Sequence, residues 1–510
     1  MRTTYPTQRI ANHVSYPIMS DFHQLLTLSQ RPITEDNLQK PVLEYLQQGI
    51  PATYTLEDAI LERFGVVLVS SKGRNKSLSG STTPLHILCR SVYYWNKGYD
   101  LQEESWLKDG LVNLDLSVKE NMENTDNERM QCTGAPFALK KDQSKTDPLS
   151  EQEYDVVLQV MDLLFEYGAG WNFLDFEGQT IGELLLGEDG EESQLHDIQN
   201  QGLKRVYQRC VTAGVQAELL LRKFEDIEWI EEPIDVDTAE EPAVAEQNSE
   251  PEDQNTDLPK MGQQDPAGNQ ETYLDTKLEY TKDGSALVTE TNRDGVMMDW
   301  ETDIMELAAL ALCKNYLDKA QDPEDECYNV LNIGFGMGII DGFIQKTLET
   351  AKRQTGKPYK HYICEAHPDV LQKLRDDGWY DNPNIVILEG RWQDCLNDLL
   401  DKGTVFLDAI YYDTFSEHYQ DMLDLYDLII GLIKPAGVFS FFNGLGADNR
   451  FFYDVYKEIV VIDMSNYGLQ CMYETVDVAK IMEKYGQVWD NVKQSYFSCK
   501  HYYHPVITFQ

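Results

Sequence analysis

Residues 328–338 read YNVLNIGFGMG, an apolar run of strand-forming residues that ends in three glycines at alternate positions. A helical pattern from Ile339 to Lys352 follows at once. Glycines let the backbone turn sharply and come close to a ligand at the start of a helix. The stretch therefore predicts the first strand, ligand loop and helix of an α/β sheet. Its spacing is GxGxG and not GxGxxG, so it does not specifically indicate a dinucleotide.

Further short apolar runs continue this pattern towards the C-terminus. They are HYICEA (361–366), NIVILEG (384–390), FLDAIYYDT (406–414) and GVFSFFNG (437–444), and helical stretches separate most of them. Such alternation predicts a parallel sheet with helices on both faces. The run YYHPVITF (502–509) near the end of the chain predicts one more strand, which we expect to pair antiparallel.

Two acids end strands at the edge where such a sheet binds ligands, and a third opens a helix ahead of the glycine loop. Glu365 ends the second predicted strand, where a carboxylate can bond ribose hydroxyls, and the glycine loop with this acid fits either NAD or S-adenosylmethionine. Asp413 ends the fourth strand at the same edge. Glu301 lies in the first turn of a helix predicted from Met297 to about Ala320. An acid is favourable in a first turn for capping reasons alone, so a structural role for Glu301 stays open.

The N-terminal half has a helical pattern. Thr83-Pro84-Leu85-His86 is the helix-opening element of ankyrin repeats, in which Thr caps, Pro takes the first turn and His bonds across the loops. Residues 163–172 are typical of the second helix and its glycine exit, and 179–185 of the start of the next repeat. We predict an all-α, ankyrin-like domain over 1–224, with an unrelated helical domain as the alternative.

An acidic segment over 225–262 separates the two halves. It has no Lys or Arg between Phe224 and Lys260, and four prolines interrupt any helix. Like charges repel and too little apolar surface can be buried, so we predict a disordered linker that acts as a spacer or attracts a basic substrate. The α/β domain then covers 263–510.

The composition limits the possible partners. Acidic residues number 87 of 510 and basic residues 43, a net charge of −44, which disfavours binding to nucleic acids and to anionic membranes and favours a basic protein. The nine cysteines include no CxxC pair, which indicates reduced thiols inside a cell. No apolar run approaches the ~18–20 residues of a membrane span. We expect a monomer in the cytoplasm and nucleus.

Six segments resemble guanidinoacetate methyltransferase and occur in the same order. They are VMMDWETDIMELAA, VLNIGFGMGI, ICEA, LEGRWQD, AIYYDT and LIKPAGVFSFFN, which cover most of 297–443. With an ankyrin-like N-terminal half, the chain resembles the fungal type IV protein-arginine methyltransferases, which methylate the δ (N5) nitrogen of arginine. The resemblance implies a class I, Rossmann-like fold, S-adenosylmethionine as cofactor and a large-subunit ribosomal protein as substrate.

The resemblance also implies the site residues. Glu301 and Asp413 match acids of the guanidinoacetate enzyme, and as a catalytic pair they would grip the guanidinium and take its proton. Glu365 would bond the ribose, and Arg391 and Trp392 would flank the adenine. The full cofactor set is Tyr280, Met305, Gly334, Phe335, Gly336, Met337, Gly338, Ile339, Ile340, Glu365, Ala366, His367, Gly390, Arg391, Trp392 and Asp413.

Several alternatives remain open from the sequence. Met305 and Trp392 could be core residues, and Tyr280 could be a core or surface tyrosine. His501 and His504 have metal-like spacing but would face opposite sides of a strand, so we predict no metal site. The chain could instead be a small-molecule guanidino methyltransferase, or an ankyrin-type scaffold with an inactive methyltransferase fold.

Overall fold

The computed structural model describes residues 20–64, 66–70, 81–98, 112–115, 130–136, 147–175, 177–186, 200–225, 268–318, 327–486, 488–490 and 492–510. The chain divides into two compact units, Met1–Phe224 and Glu225–Gln510. The predicted linker over 225–262 lies outside the described residues except for Glu225, so it stays a prediction. Within the described parts of the chain, no helix is both long and apolar enough to cross a membrane.

The first unit contains seven helices and three strands among its described residues. The helices are α1 (Asp21–Leu25), α2 (Lys40–Gln47, which continues a π-helical turn over Glu35–Gln39), α3 (Leu56–Phe64), α4 (Pro84–Asn96), α5 (Glu151–Glu166), α6 (Ile181–Leu186) and α7 (Gln201–Glu225). The strands are β1 (Val66–Ser70), β2 (Val112–Asp115) and β3 (Met130–Pro136).

The prediction that this unit is all-α was wrong. The three strands form one sheet in the order β1-β3-β2, with β1 and β3 parallel. The VVLVS sequence of β1 explains the difference, because a run of β-branched residues favours a strand.

The helix-opening role of the TPLH sequence agrees with the structure of α4. Thr83 Oγ1 lies 2.8 Å from Nδ1 of His86, and Pro84 takes the first turn. The buried His86 also bonds across to the carbonyl oxygen of Phe173 through Nε2 at 3.1 Å. These contacts are local, and the assignment of ankyrin repeats stays a prediction.

The second unit contains a seven-stranded sheet and a small three-stranded one. Their strands are β4 (Leu278–Tyr280), β5 (Ala286–Thr289), β6 (Gly295–Met298), β7 (Tyr328–Ile333), β8 (Tyr359–Glu365), β9 (Ile385–Glu389), β10 (Leu407–Tyr412), β11 (Ile433–Phe441), β12 (Leu469–Asp477) and β13 (His501–Phe509). The α-helices are α8 (Gln270–Asp275), α9 (Thr302–Asp318), α10 (Ile339–Thr355), α11 (Pro368–Asp376), α12 (Trp392–Lys402), α13 (Tyr419–Leu432), α14 (Arg450–Asn466) and α15 (Val478–Tyr485).

The large sheet has the order β12-β13-β11-β10-β7-β8-β9. Neighbours from β11 to β9 pair in parallel, whereas β13 pairs antiparallel with both β11 and β12. Hydrophobic clusters cover both faces of the sheet. This is the Rossmann-like methyltransferase architecture, so the predicted fold class of this half and the antiparallel last strand are confirmed. The strand order reverses between β7 and β10, where open α/β sheets bind ligands.

The small sheet, in the order β4-β5-β6, was not predicted. Met297 and Met298 end β6, a single 3₁₀ turn over Asp299–Glu301 follows, and α9 begins only at Thr302. The prediction of a helix from Met297 was therefore wrong by five residues, because strand pairing with β5 holds the two methionines extended. This arrangement places Glu301 at a turn beside the sheet edge.

Candidate active site

The glycine loop after β7 is held against the end of β10. Gly334 has φ +92°, and a Cβ atom at this position would lie 1.9 Å from the carbonyl oxygen of Asp413. The Asp413 amide donates to the carbonyl oxygen of Ile333 at 2.9 Å. Only glycine fits such a backbone contact, since any side chain would displace the neighbouring strand end. The close approach brings Asp413 beside the loop.

Glu365 is fixed at the same sheet edge by three backbone amides. Its Oε2 accepts from Phe335 at 2.9 Å, and its Oε1 accepts from Ala366 at 2.8 Å and His367 at 2.7 Å. Burial raises the pKa of this carboxyl, and the three hydrogen bonds oppose the rise. The carboxylate is thereby held in one orientation at the end of β8, as the ribose-binding prediction requires.

One cleft runs along the ends of β7, β8, β9 and β10. Eight of the predicted site residues line it: Gly334, Gly336, Glu365, Ala366, Gly390, Arg391, Trp392 and Asp413. They come from loops far apart in the sequence and meet because parallel strands end at one edge. The structure thus assembles half of the predicted cofactor set in a single cleft.

The other predicted cofactor residues lie beside or beneath this cleft. The Tyr280 hydroxyl donates to the carbonyl oxygen of Gly336 at 2.9 Å, and the His367 side chain caps α11. Phe335 and Ile340 are buried in the core. The backbone amide of Met337 donates to the Met297 sulfur. Gly338 and Ile339 lie at the start of α10. Met305 is fully buried in the core, as expected if it is only a packing residue. Its contact with a cofactor therefore stays a prediction.

Sequence reasoning missed several residues of the cleft. Tyr273, Met297 and Phe415 line it, with the rings of Tyr273 and Phe415 5.0 Å apart. Glu417 supports it by accepting from Trp392 Nε1 at 2.8 Å and from Thr414 Oγ1 at 2.6 Å. The sequence could have indicated the contact between Thr414 and Glu417, because the two residues have the spacing of a capping box.

The residues of the cleft fit a nucleoside ligand, but little space remains in it. An anchored acid and a glycine loop suit such a ligand, whereas Trp392 is buried in a core cluster, which is its structural alternative, so its contact with the adenine stays a prediction. The cavity holds only about 50 Å³, less than the roughly 300–1,000 Å³ of small-molecule sites. Met297 lies against the loop, since a Cβ at Gly336 would be 2.7 Å from its methyl carbon. Side chains that line the cleft, Met297 among them, therefore fill much of its volume.

Glu301 and Asp413 form a pair of interacting buried carboxyls beside the cleft. Glu301 is 3% exposed, and Asp413 is half-buried as a residue, although its Oδ2 is buried without a hydrogen-bond partner. Burial and the charge of Asp413 raise the pKa of Glu301, and burial and the charge of Asp341 raise the pKa of Asp413 to about 7. Within the described chain, no lysine or arginine pairs with either acid. Among the residues that the structure describes, no cationic side chain therefore neutralises the two acids.

Tyr496 completes the surroundings of Glu301 and was not predicted. Its hydroxyl donates to Glu301 Oε1 and accepts from Trp300 Nε1 at 3.1 Å. Tyr496 lies in the segment before β13, 195 residues away from Glu301 in the sequence. No local pattern in the sequence indicates this contact.

The described residues contain no group of three or more His, Cys, Asp and Glu side chains arranged to hold a metal ion. His501 and His504 both lie in β13, three residues apart, so their side chains point to opposite faces of the sheet.

The pKa of Asp413 predicts the pH dependence of any reaction on a cationic substrate. We expect kcat/KM to rise at least about tenfold per pH unit below about 7, because Asp413 must lose its proton to pair with the substrate, and the raised pKa of Glu301 places its ionisation on the same acidic limb. Between the ordinary pKa of 3.8 and about 7 the folded protein holds a proton that the unfolded chain has released. The free energy of unfolding therefore falls across this window as pH rises. A kcat/KM profile that is flat from pH 6 to 8 would contradict the assignment.

The chain is similar to known proteins over most of its length. The family model of guanidinoacetate N-methyltransferase matches residues 268–507. The chain is 46% identical to protein arginine N-methyltransferase 2 of Candida glabrata over 496 residues, which cover 96% of this chain and 100% of the relative. It is 47% identical to the protein of the same name in Kluyveromyces lactis, again covering 96% and 100%.

A solved structure was also matched. It is the O-methyltransferase TomG from Streptomyces achromogenes in complex with SAM, at 13% identity and a TM-score of 0.26, covering 42% of this chain and 81% of that one. The fold assignment of the second unit rests on its own strand order.

Proposed function

The chain belongs to the family of fungal protein arginine N-methyltransferase 2 proteins, and on this premise we propose that it methylates arginine in a protein substrate with S-adenosylmethionine as methyl donor. The finer proposal is a single methyl group on the δ (N5) nitrogen. The match to the guanidinoacetate N-methyltransferase family over 268–507 supports it, because that reaction also takes place on the guanidino nitrogen that carries the alkyl carbon.

The observation that carries this proposal is the pair of buried acids, Glu301 and Asp413, which no cationic side chain of the described residues neutralises. A guanidinium is planar, stays protonated at neutral pH and presents N–H donors that match carboxylates. Bound between Glu301 and Asp413, it would offset the burial that raises the pKa of both acids and the charge of Asp413 that raises the pKa of Glu301. A buried charge pair requires such compensation, so an arginine side chain fits this site better than a neutral substrate does.

The acids also have to orient the guanidinium and remove a proton. Carboxylates at Glu301 and Asp413 would hold the N–H groups and direct one nitrogen towards the cleft. The methyl donor, when bound, supplies an electrophilic methyl group on a positively charged sulfur. The nitrogen loses one proton as it gains a methyl group, and Asp413 Oδ2 can receive that proton. A pKa of about 7 suits a general base at neutral pH.

Residues of the cleft would hold the donor in place. Glu365 would bond its ribose, the backbone of the glycine loop would meet its amino-acid part, and Arg391 and Trp392 would flank its adenine. Tyr280, bonded to Gly336, would close the loop from the side of β4. These roles follow the family resemblance, and the common cleft of the lining residues supports them.

We propose a basic substrate, and specifically a large-subunit ribosomal protein. The net charge of −44 favours encounter with a Lys/Arg-rich partner through long-range attraction. The first unit would dock this protein, whereas a small metabolite would need no such surface. A cytoplasmic and nuclear location and a monomeric state are parts of the same proposal.

Mass spectrometry of proteins from cells with and without this chain tests the function. We expect loss of one 14-dalton mark on one arginine, with fragments that place the methyl group on the δ nitrogen. Purified protein should transfer methyl groups to that substrate and not to guanidinoacetate. Transfer only to guanidinoacetate would establish the small-molecule alternative, and absence of any transfer and of S-adenosylmethionine binding would establish the scaffold alternative.

A further inference from the structure

A directed chain of hydrogen bonds ends on Glu301. Trp300 Nε1 donates to the Tyr496 hydroxyl oxygen at 3.1 Å, and the Tyr496 hydroxyl bonds to Glu301 Oε1. An indole N–H can only donate, and an ionised carboxylate can only accept. The tyrosine proton is therefore directed at the carboxylate, and the chain runs from Trp300 through Tyr496 to Glu301.

Packing fixes the Tyr496 ring and thus the position of its hydroxyl. The ring lies edge-on to Trp489 at 5.0 Å between centroids and 6.1 Å from the ring of Trp300. On another side a Cβ at Gly295 would come within 3.1 Å of Tyr496 Cε1, so little free space remains. A hydroxyl held in this way offers its proton in one direction, which is how a supporting residue orients a reactive group.

We propose that Tyr496 is a positioning residue that holds the Glu301 carboxylate in the orientation in which it meets the guanidinium. The inference rests on the proposed arginine methylation, for which Glu301 contacts the substrate. It assigns the C-terminal segment before β13 a role in the reaction beyond packing.

The groups around Glu301 show why this support is required. Those that face it are Asp299 on its own turn, Asp413 after β10, Tyr411 within β10, Tyr496, and Tyr502 on β13. Burial, Asp413 and Asp299 raise the pKa of Glu301, whereas the hydrogen bonds from Tyr496 and from the Met298 backbone lower it. Tyr496 is therefore the side chain that favours the ionised acid before a cation arrives.

Tyr496→Phe tests this role because it removes the hydroxyl and keeps the ring. We expect kcat/KM for the arginine substrate to fall about 10- to 100-fold, the effect of losing a hydrogen bond to a charged group. The acidic limb of its pH profile should move up by about one to two pH units, because Glu301 loses a bond that favours its charged form. Affinity for S-adenosylmethionine should stay within about twofold.

Tyr328→Phe is the matched control. The buried Tyr328 hydroxyl donates to the Leu312 carbonyl oxygen at 2.7 Å, away from both acids, so its loss costs a similar hydrogen bond without touching the site. Its acidic limb should coincide with that of the wild type. The inference is overturned if the Tyr496→Phe limb coincides with the wild type, or if Tyr328→Phe moves the limb as far.

A binding measurement separates this inference from the proposed function. Calorimetry with N-acetyl-arginine amide and S-adenosylhomocysteine reports guanidinium binding without methyl transfer. If wild-type protein transfers no methyl group yet binds this probe, and Tyr496→Phe shifts the pH dependence of binding upward, the function fails and the role of Tyr496 stands. Equal pH dependence of binding in both proteins removes the role of Tyr496 whether or not methyl transfer is observed.

Discussion

Glu301→Gln is expected to lower kcat/KM for an arginine-containing protein by about 10²–10³-fold, the effect of removing one partner of a desolvated charge pair. Glutamine keeps the size of the side chain and an oxygen that can still accept from Tyr496. The substitution therefore removes the charge and leaves the packing. The measurement is single-turnover methyl transfer, with cofactor affinity determined in parallel and expected to be unchanged.

Thermal unfolding shows whether a lower rate reflects a lost charge or a lost fold. Glu301 and Asp413 are interacting buried acids, so replacing one with an amide relieves repulsion and desolvation in the free protein. We expect the melting temperature of Glu301→Gln to equal or exceed that of the wild type, together with the lower activity. Active sites commonly have this conflict between stability and function.

Asp413→Asn and the double variant extend this test. Asp413→Asn should lower kcat/KM by a similar factor, and the double variant should lose much less than the product of the two single losses, because the acids act as one clamp. Glu306→Gln is the control, since Glu306 is an exposed acid on the adjoining helix α9. If Glu301→Gln turns over at nearly the wild-type rate, Glu301 takes no part in the reaction and has only a structural role at the start of the helix.

Gly334→Ala is expected to reduce cofactor affinity by at least about 100-fold and to lower the melting temperature. A Cβ at this position would lie 1.9 Å from the Asp413 carbonyl oxygen and 2.8 Å from its carbonyl carbon. Both are backbone atoms that cannot rotate away, and φ is +92°, where a side chain is strained. The end of β10 and the glycine loop must therefore separate, which opens the cleft.

Two other glycines serve as comparisons. At Gly342 in α10 a Cβ would meet nothing within 4 Å, so Gly342→Ala should be neutral or stabilise the helix by up to about 1 kcal/mol. At Gly336 a Cβ would meet the flexible end of Met297, so Gly336→Ala should weaken cofactor binding less than Gly334→Ala does. Isothermal titration calorimetry with S-adenosylmethionine measures the cofactor affinity of the three variants and ranks them. Unchanged affinity in Gly334→Ala would place the cofactor elsewhere.

The sequence predicted the parts of the site that depend on local pattern. The glycine loop follows the first strand of the large sheet, Glu365 ends the next one, and Asp413 follows β10, as expected from apolar runs that end in Gly or an acid. Because parallel strands end at one edge, knowing these strand ends was enough to bring Gly334, Glu365 and Asp413 into one cleft. The contacts of the individual residues with the cofactor stay predictions.

The errors arose where pairing between strands, near or distant in the sequence, decides whether a segment is extended. Met297 and Met298 were assigned to a helix but pair with β5, and β12 was missed although it forms the sheet edge beside β13. In the first unit, β1 and β3 pair across about sixty residues and make the predicted all-α domain a mixed one. Strand propensity depends on such partners, which one sequence does not show.

By itself the sequence determined the class of the second unit, the position of its ligand loop and the acids at its strand ends, because glycine geometry and hydrophobic periodicity act over a few residues. Only the tertiary structure decided what surrounds those acids. Glu301 receives the Tyr496 hydroxyl from 195 residues away, and it meets the charge of Asp413 because the turn after β6 lies over the end of β10. Burial and charge coupling depend on this assembled surrounding, so the raised pKa values on which the proposed guanidinium site rests arise only in the folded chain.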